Sequence, residues 1–243
     1  MTMEKLKLFC LPYAGGSAGI YNQWKKNLHQ SIQLYPVELS GRGKRFSEGH
    51  YLTFDDALND VCNIVSKELD GTPYIFFGHS MGSLLVYETI LRLKKSNFQT
   101  PVHAFFSGKC PPHIRDKEKT LHKLPGEELI AEIKKYGGTS PAFFECQELL
   151  DIFIPVIRAD YRILETWDHY SKLNVFDFNI TALGGTEDTI VPINDLIEWK
   201  KYTSRQCRIY EFEGGHFFIH EKGPEIASII NETVHELQGE KIA

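Results

Sequence analysis

The chain has 243 residues, 42% of them hydrophobic and 24% charged, the balance of a soluble globular protein. That composition excludes a disordered chain, a collagen-like fibre and a coiled coil, and a fold of this size needs no metal or disulfide staple. The net charge of −5 argues against a dedicated nucleic-acid binder, whose footprint would be basic.

Leu6–Leu11 is the first of several short β-rich runs, and its apolar stretch ends at Gly15-Gly16, too short for the core of a signal peptide. No run approaches the ~18 apolar residues of a membrane span, so a cytoplasmic location is expected. A second strand is expected at Ile32–Leu39. After it, Phe54, Ala57, Leu58, Val61, Ile64, Val65 and Leu69 follow the spacing of an amphipathic helix. The strand Tyr74–Phe77, the helix Ser83–Lys94 and the strand Val102–Phe106 come next. The strands Phe178–Leu183 and Cys207–Phe212 and the helix Pro224–Leu237 close the chain. Alternating strands and helices predict an α/β fold whose mostly parallel sheet has helices on both faces. Chemistry on such a sheet sits beyond the carboxyl ends of its strands.

About seventy residues between Ser107 and Val175 contain no strand pattern. They read as helices at Glu127–Tyr136 and from Gln147 to about Trp167, with an interruption at Pro155, because a structureless loop of that length is improbable. The expectation is one domain spanning 1–243, with a helical lid inserted at about 110–172. Cys10, Cys62, Cys110, Cys146 and Cys207 are scattered without a CxxC pair, which suits reduced thiols. His216 and His220 are four residues apart, but no third ligand accompanies them, so no metal site is expected.

The sharpest motif is Gly78-His79-Ser80-Met81-Gly82, between a strand and a helix. In that setting G-x-S-x-G projects the Ser80 hydroxyl above the sheet on a tight turn. A serine needs a base, and His216 is the candidate because Gly214-Gly215 follow the last strand and free the backbone to carry the imidazole across the sheet edge. The imidazole needs an acid to fix its tautomer. Gly184-Gly185-Thr186-Glu187-Asp188 follows the preceding strand; Asp188 is preferred and Glu187 is the alternative. Two backbone donors should face the developing oxyanion. One is the N–H of Met81, and the other, from the glycine-rich loop Leu11-Pro12-Tyr13-Ala14-Gly15-Gly16-Ser17, is that of Tyr13 or Ala14. The loop lacks the residues of a P-loop or a dinucleotide site. Cys110 is a weaker nucleophile candidate with no base near it in sequence.

With these residues placed, the chain resembles the type II thioesterases, the stand-alone editing hydrolases of nonribosomal peptide and polyketide assembly lines, within the α/β-hydrolase superfamily. The order Ser80, Asp188, His216 matches that superfamily. The resemblance runs from the Leu11–Ser17 loop through Gly41-Arg42-Gly43-Lys44-Arg45 and the elbow to Arg158-Ala159-Asp160-Tyr161 and Gly215-His216-Phe217. Ser40 departs from the Pro or Ala common before Gly-Arg-Gly. The resemblance implies acyl or aminoacyl thioesters on the phosphopantetheine arm of carrier proteins as substrates. It calls for no cofactor, and a monomer without nucleic-acid or membrane partners is expected.

Acidic carrier proteins would meet a basic face. From Lys109 to Lys123, Lys109, Arg115, Lys117, Lys119 and Lys123 outnumber Asp116 and Glu118, and Arg42, Lys44 and Arg45 would add to them if their loop lies nearby. Phe143, Phe144, Leu149, Leu150, Phe153, Ile154, Ile157, Tyr161 and Trp167 either line an acyl pocket or pack the insertion. The alternatives are a medium-chain fatty acyl thioesterase, a small-ester esterase or perhydrolase with the same machinery, and an inactive hydrolase fold serving as a binding module.

Overall fold

The computed structural model describes residues 5–114, 120–167 and 173–240. Among them are six strands: β1 (Leu6–Leu11), β2 (Ile32–Pro36), β3 (Tyr74–His79), β4 (His103–Ser107), β5 (Asn179–Gly185) and β6 (Cys207–Phe212). All pair parallel in the order β2-β1-β3-β4-β5-β6. The helices are α1 (Phe54–Lys67), α2 (Met81–Lys95), α3 (Gly126–Tyr136), α4 (Gln147–Glu165), α5 (Ile193–Leu196) and α6 (Gly223–Glu240).

The strands are apolar on both sides, as a sheet buried on both faces requires. Phe9, Leu11, Tyr74, Phe76, Ala104 and Phe106 face one layer, built from α1, α2 and the stretch around Trp199 and Tyr202. Leu8, Cys10, Ile75, Phe77 and Phe105 face the other, built from α6 and a 3-10 segment, Ala18–Lys26, that buries Tyr21 and Trp24. The start of α1 is fixed by a reciprocal capping box between Thr53 and Asp56.

Two boundaries differ from expectation. β2 stops at Pro36, and the chain then leaves the sheet: the Glu38 carboxylate accepts the Ala18 N–H at 2.9 Å, and the Ser40 N–H goes to the Tyr51 hydroxyl at 3.0 Å. Helix α4 runs unbroken through Pro155. The proline lacks the N–H that would bond the Asp151 carbonyl, but both residues lie on the exposed face, so that carbonyl is not sealed in the core.

The segment between β4 and β5 holds a small apolar cluster of its own, formed by Leu121, Leu129, Ile133 and Ile157 with Phe144, Phe153, Ile154 and Tyr161 against it. Trp167 leaves that cluster and lies 5.0 Å from Phe54. Most of the aromatics that could have lined an acyl pocket therefore pack the insertion, while Leu149 is exposed.

At the opposite end of the sheet from the strands' carboxyl edge, His103 is buried and its Nε2 lies 2.9 Å from the Thr181 hydroxyl. Burial, reinforced by the Arg208 charge, pushes this imidazole down to about 3. The unfolded chain takes up the proton near pH 6.5 and the folded chain does not, so the folded state loses stability as pH falls from about 6.5 toward 3. The expected slope is ~1.4 kcal/mol per pH unit. His103→Gln keeps a side-chain N–H for Thr181 and cannot titrate. In urea unfolding between about pH 6 and 5 it should show a pH slope shallower by about that amount.

Candidate active site

The strand β3 ends in Gly78-His79, and the chain turns through Ser80 directly into α2. The turn forces Ser80 to φ 52° and ψ −115°, in the left-handed range that non-glycine residues avoid. Neighbouring bonds hold it there. The Ser80 N–H reaches the Ser107 carbonyl at 2.8 Å, and the Ser83 hydroxyl bridges the carbonyls of Gly78 and Ser107 at 2.8 and 2.9 Å. Glycine is required on either side of the serine: a Cβ at Gly78 would strike the Gly82 carbonyl, and one at Gly82 would strike the Leu11 carbonyl.

Facing the elbow, His216 Nε2 lies 3.0 Å from Ser80 Oγ, and His216 Nδ1 lies 2.7 Å from Asp188 Oδ2. The other Asp188 oxygen accepts the N–H groups of Ile190 at 2.8 Å and Val191 at 3.1 Å. With both oxygens engaged and the side chain fully buried, the carboxylate has one orientation. Glu187, the alternative acid, is exposed. The two loops can meet because a Cβ at Gly185 would come within 2.5 Å of the carbonyls of Gly214 and Gly215, and because the Glu187 N–H bonds the Gly214 carbonyl at 2.9 Å.

His79 is fully buried and turned away from the serine hydroxyl. Its Nε2 lies 3.0 Å from the His216 carbonyl and its Nδ1 2.8 Å from the Ser107 hydroxyl. A carbonyl only accepts, so Nε2 carries the hydrogen and Nδ1 accepts from Ser107. Burial, with the nearby His216 and His220 charges, holds this imidazole well below its ordinary pKa. It is a neutral strut beneath His216. His220, four residues on, meets the Tyr13 hydroxyl at 3.0 Å. Among the described residues no group of three His, Cys, Asp or Glu side chains could hold a metal ion, and no helix is long and apolar enough to cross a membrane.

The loop after β1 lies against the elbow. In it the Gly16 N–H donates to the Tyr13 carbonyl at 2.9 Å and the Gly15 N–H to Asp160 Oδ2 at 2.7 Å, so both glycine amides of the loop are engaged. Met81, at the first position of α2, contributes the amide next to the serine.

Sequence reasoning missed a buried ion pair. Arg42 grips Asp160 through Nη1–Oδ2 at 2.6 Å and Nη2–Oδ1 at 2.7 Å, and both side chains are almost fully buried. Burial lowers the Arg42 pKa, but the Asp160 charge outweighs it and the group is raised. Removing one partner of such a pair leaves an uncompensated buried charge, at about 3–5 kcal/mol. Arg42 therefore does not belong to a basic surface. Arg45 is also paired, with Glu48 at 2.5 Å and Asp60 at 2.6 Å, and of that loop's three cations Lys44 is the exposed one. Arg115, Lys117 and Lys119, with Asp116 and Glu118, lie outside the described residues. Asp160 did carry a signal: it shares a helix face with Val156, Ile157 and Ile163, and a charge on an apolar stripe needs a buried partner. Cys110 is buried with its Sγ toward the Ile114 carbonyl.

A parallel sheet with a nucleophile elbow, and an acid and a histidine on later strand-end loops, defines an α/β-hydrolase. Comparison with known proteins narrows the class. The chain belongs to the thioesterase domain family, whose model matches residues 6–234, and it is a thioester hydrolase. It is 31% identical over 241 residues to the gramicidin S biosynthesis protein GrsT of Aneurinibacillus migulanus, covering 98% of this chain and 92% of that one. It is 30% identical over 220 residues to the human medium-chain S-acyl fatty acid synthase thioesterase, covering 88% and 80%. Among solved structures, ClbQ from the colibactin NRPS/PKS pathway superposes with a TM-score of 0.92 at 34% identity, covering 96% of this chain and 98% of that one.

Gly185→Ala tests how closely the acid and histidine loops must meet. The added methyl should cost about 1–3 kcal/mol by overpacking. It should also lengthen the 2.7 Å contact between His216 and Asp188, seen by NMR as loss or upfield movement of the imidazole Nδ1 proton.

Proposed function

We propose that this chain hydrolyses acyl or aminoacyl thioesters carried on the phosphopantetheine arm of carrier proteins, clearing stalled groups from a nonribosomal peptide or polyketide assembly line. The observation that carries the reading is the unbroken hydrogen-bonded row from Ser80 through His216 to Asp188 at the carboxyl edge of the sheet. ClbQ, from the colibactin NRPS/PKS pathway, and GrsT, named for gramicidin S biosynthesis, support the choice of assembly line.

Ser80 Oγ attacks the thioester carbonyl as His216 Nε2 takes its proton, and Asp188 stabilises the imidazolium. The tetrahedral oxyanion is met by the Met81 amide and one from the loop after β1. Ala14 is favoured over Tyr13. The Pro12 carbonyl oxygen comes within 2.8 Å of a Cβ placed at Gly82, so it faces the elbow. The Tyr13 N–H, antiparallel to that oxygen across a trans peptide, points away. The C–S bond then breaks, the pantetheine sulfur leaves with the proton held by His216, and the acyl group remains on Ser80. Water attacks the ester as His216 takes its proton. When the tetrahedral adduct collapses, the acid departs and His216 returns the proton to Ser80. A thiol is already a good leaving group, so none of these steps calls for a metal or organic cofactor.

The reading takes 1–243 as one domain acting as a cytoplasmic monomer, with the insertion at about 110–172 serving as a lid. Two contacts support the lid: Phe153 and Ile157 of α4 lie against Gly15, and Gly138 lies against Phe217 beside His216. The similarity to the human medium-chain enzyme favours one second reading, a fatty acyl thioesterase acting on acyl-carrier protein or acyl-CoA.

An acetylated carrier protein followed by intact mass should lose its acetyl group with the wild-type chain and keep it with Ser80→Ala, whose turnover should fall by at least ~10⁴-fold. If the wild type leaves the carrier intact but cleaves decanoyl-CoA, the carrier-protein assignment fails and the fatty acyl reading replaces it.

A further inference from the structure

We infer that the buried Arg42–Asp160 pair is a positioning device for the oxyanion site, holding the Ala14 amide in place from the helical insertion. The inference rests on the reading of Ser80 and Ala14 above.

The path is continuous. Asp160 projects from α4, and its Oδ2 accepts both the Gly15 N–H at 2.7 Å and Arg42 Nη1 at 2.6 Å. The same Arg42 Nη1 donates to the Gly16 carbonyl at 3.1 Å, and Arg42 Nη2 holds Asp160 Oδ1 at 2.7 Å. Two peptide groups of the loop, Ala14–Gly15 and Gly16–Ser17, which flank the Gly15–Gly16 peptide, are thus anchored to one charged pair. The Gly16 N–H in turn fixes the Tyr13 carbonyl at 2.9 Å. Tyr13 C=O and Ala14 N–H belong to one planar peptide, so fixing the first aims the second. Gly15 has φ +79°, and a Cβ there would come within 2.9 Å of Ile157 and Phe153, so no side chain at this position can brace the turn.

Neither side chain bonds to Ser80, His216 or Asp188 in the structure; they act through the loop. A salt bridge that merely stabilised the fold would not need to share its carboxylate oxygen with the Gly15 amide or its guanidinium with the Gly16 carbonyl. Sharing them makes the aim of the oxyanion donor depend on where α4 sits.

The test separates positioning from stability. Asp160→Asn and the double variant Arg42→Met/Asp160→Met are assayed with the hexanoyl thioester of N-acetylcysteamine, with kcat expressed per titrated active site. Inhibition by a hexyl trifluoromethyl ketone, which adds to the serine and leaves an oxyanion, is measured alongside. The double variant replaces the ion pair with apolar bulk, which restores the melting temperature if the pair is only structural or also positional. Positioning predicts that kcat stays depressed by about 10²-fold in the double variant, that KM moves less than about threefold, and that the ketone Ki rises by the same factor as kcat falls. Arg42→Lys, which keeps a charge beside Asp160, should show the same pattern with smaller amplitude even if the other variants fail to fold. A folded double variant, or a folded Arg42→Lys, with wild-type kcat per site and wild-type ketone affinity would overturn the inference. If the ketone fails to inhibit the wild type, or Ser80→Ala retains turnover, the reading beneath it falls and takes the inference with it.

Discussion

The active edge depends on one close approach of two backbones, where the first turn of α2 meets the end of β1 at Gly82. A side chain there would occupy the space of the Leu11 carbonyl. The contact sets how far the amide of Met81 stands from those of Tyr13 and Ala14, because each lies within three residues of the touching atoms. The Leu11 carbonyl is held in turn by the Tyr21 hydroxyl at 2.7 Å, so the loop starts from a fixed point inside the core. Gly185 repeats the device on the other side of the serine, letting the acid loop lie directly on the carbonyls of Gly214 and Gly215. The strain at Ser80 is sustained by these contacts, which leave the turn no relaxed alternative.

Three histidines share this region, and their surroundings divide their tasks. His216 has a carboxylate on one nitrogen and the serine hydroxyl on the other, the arrangement of a base. His79 sits beneath it, buried and spending both nitrogens on Ser107 and the His216 carbonyl. Keeping His79 neutral matters electrostatically, since a second imidazolium 5.4 Å from the first would oppose the proton transfer that His216 is proposed to make. His220, lowered by burial, is occupied by the Tyr13 hydroxyl and braces the loop after β1.

The sheet and the elbow were legible in sequence because both are local. A strand buried on two faces is a run of apolar residues, and glycines flanking a serine at a strand end mark a turn that only they permit. Asp188 and His216 were legible because glycines precede each one at a strand end. What was not legible depended on distant partners. Ala18–Lys26 is polar in much of its length, yet it packs on one sheet face through Tyr21 and Trp24, with Ile20 beside them. Arg42 resembled a surface cation because its neighbours Lys44 and Arg45 are cations too; only the fold brings α4 across to neutralise it. Pro155 read as a break because sequence does not say which face of a helix will be exposed.

Gly15-Gly16, Arg42 and Asp160 are separated by up to 145 residues and read as independent motifs, but in the structure they form one hydrogen-bonded unit. A glycine pair without a side chain to anchor it is conformationally loose, and a loop that must aim an amide cannot be. The anchor has to come from elsewhere, and it has to be stiff. A bidentate guanidinium–carboxylate pair in a dry site supplies that stiffness with two fixed angles as well as two distances. Its position on α4 ties the insertion between β4 and β5 to the loop that is proposed to aim the oxyanion donor, where small displacements have the largest chemical consequence.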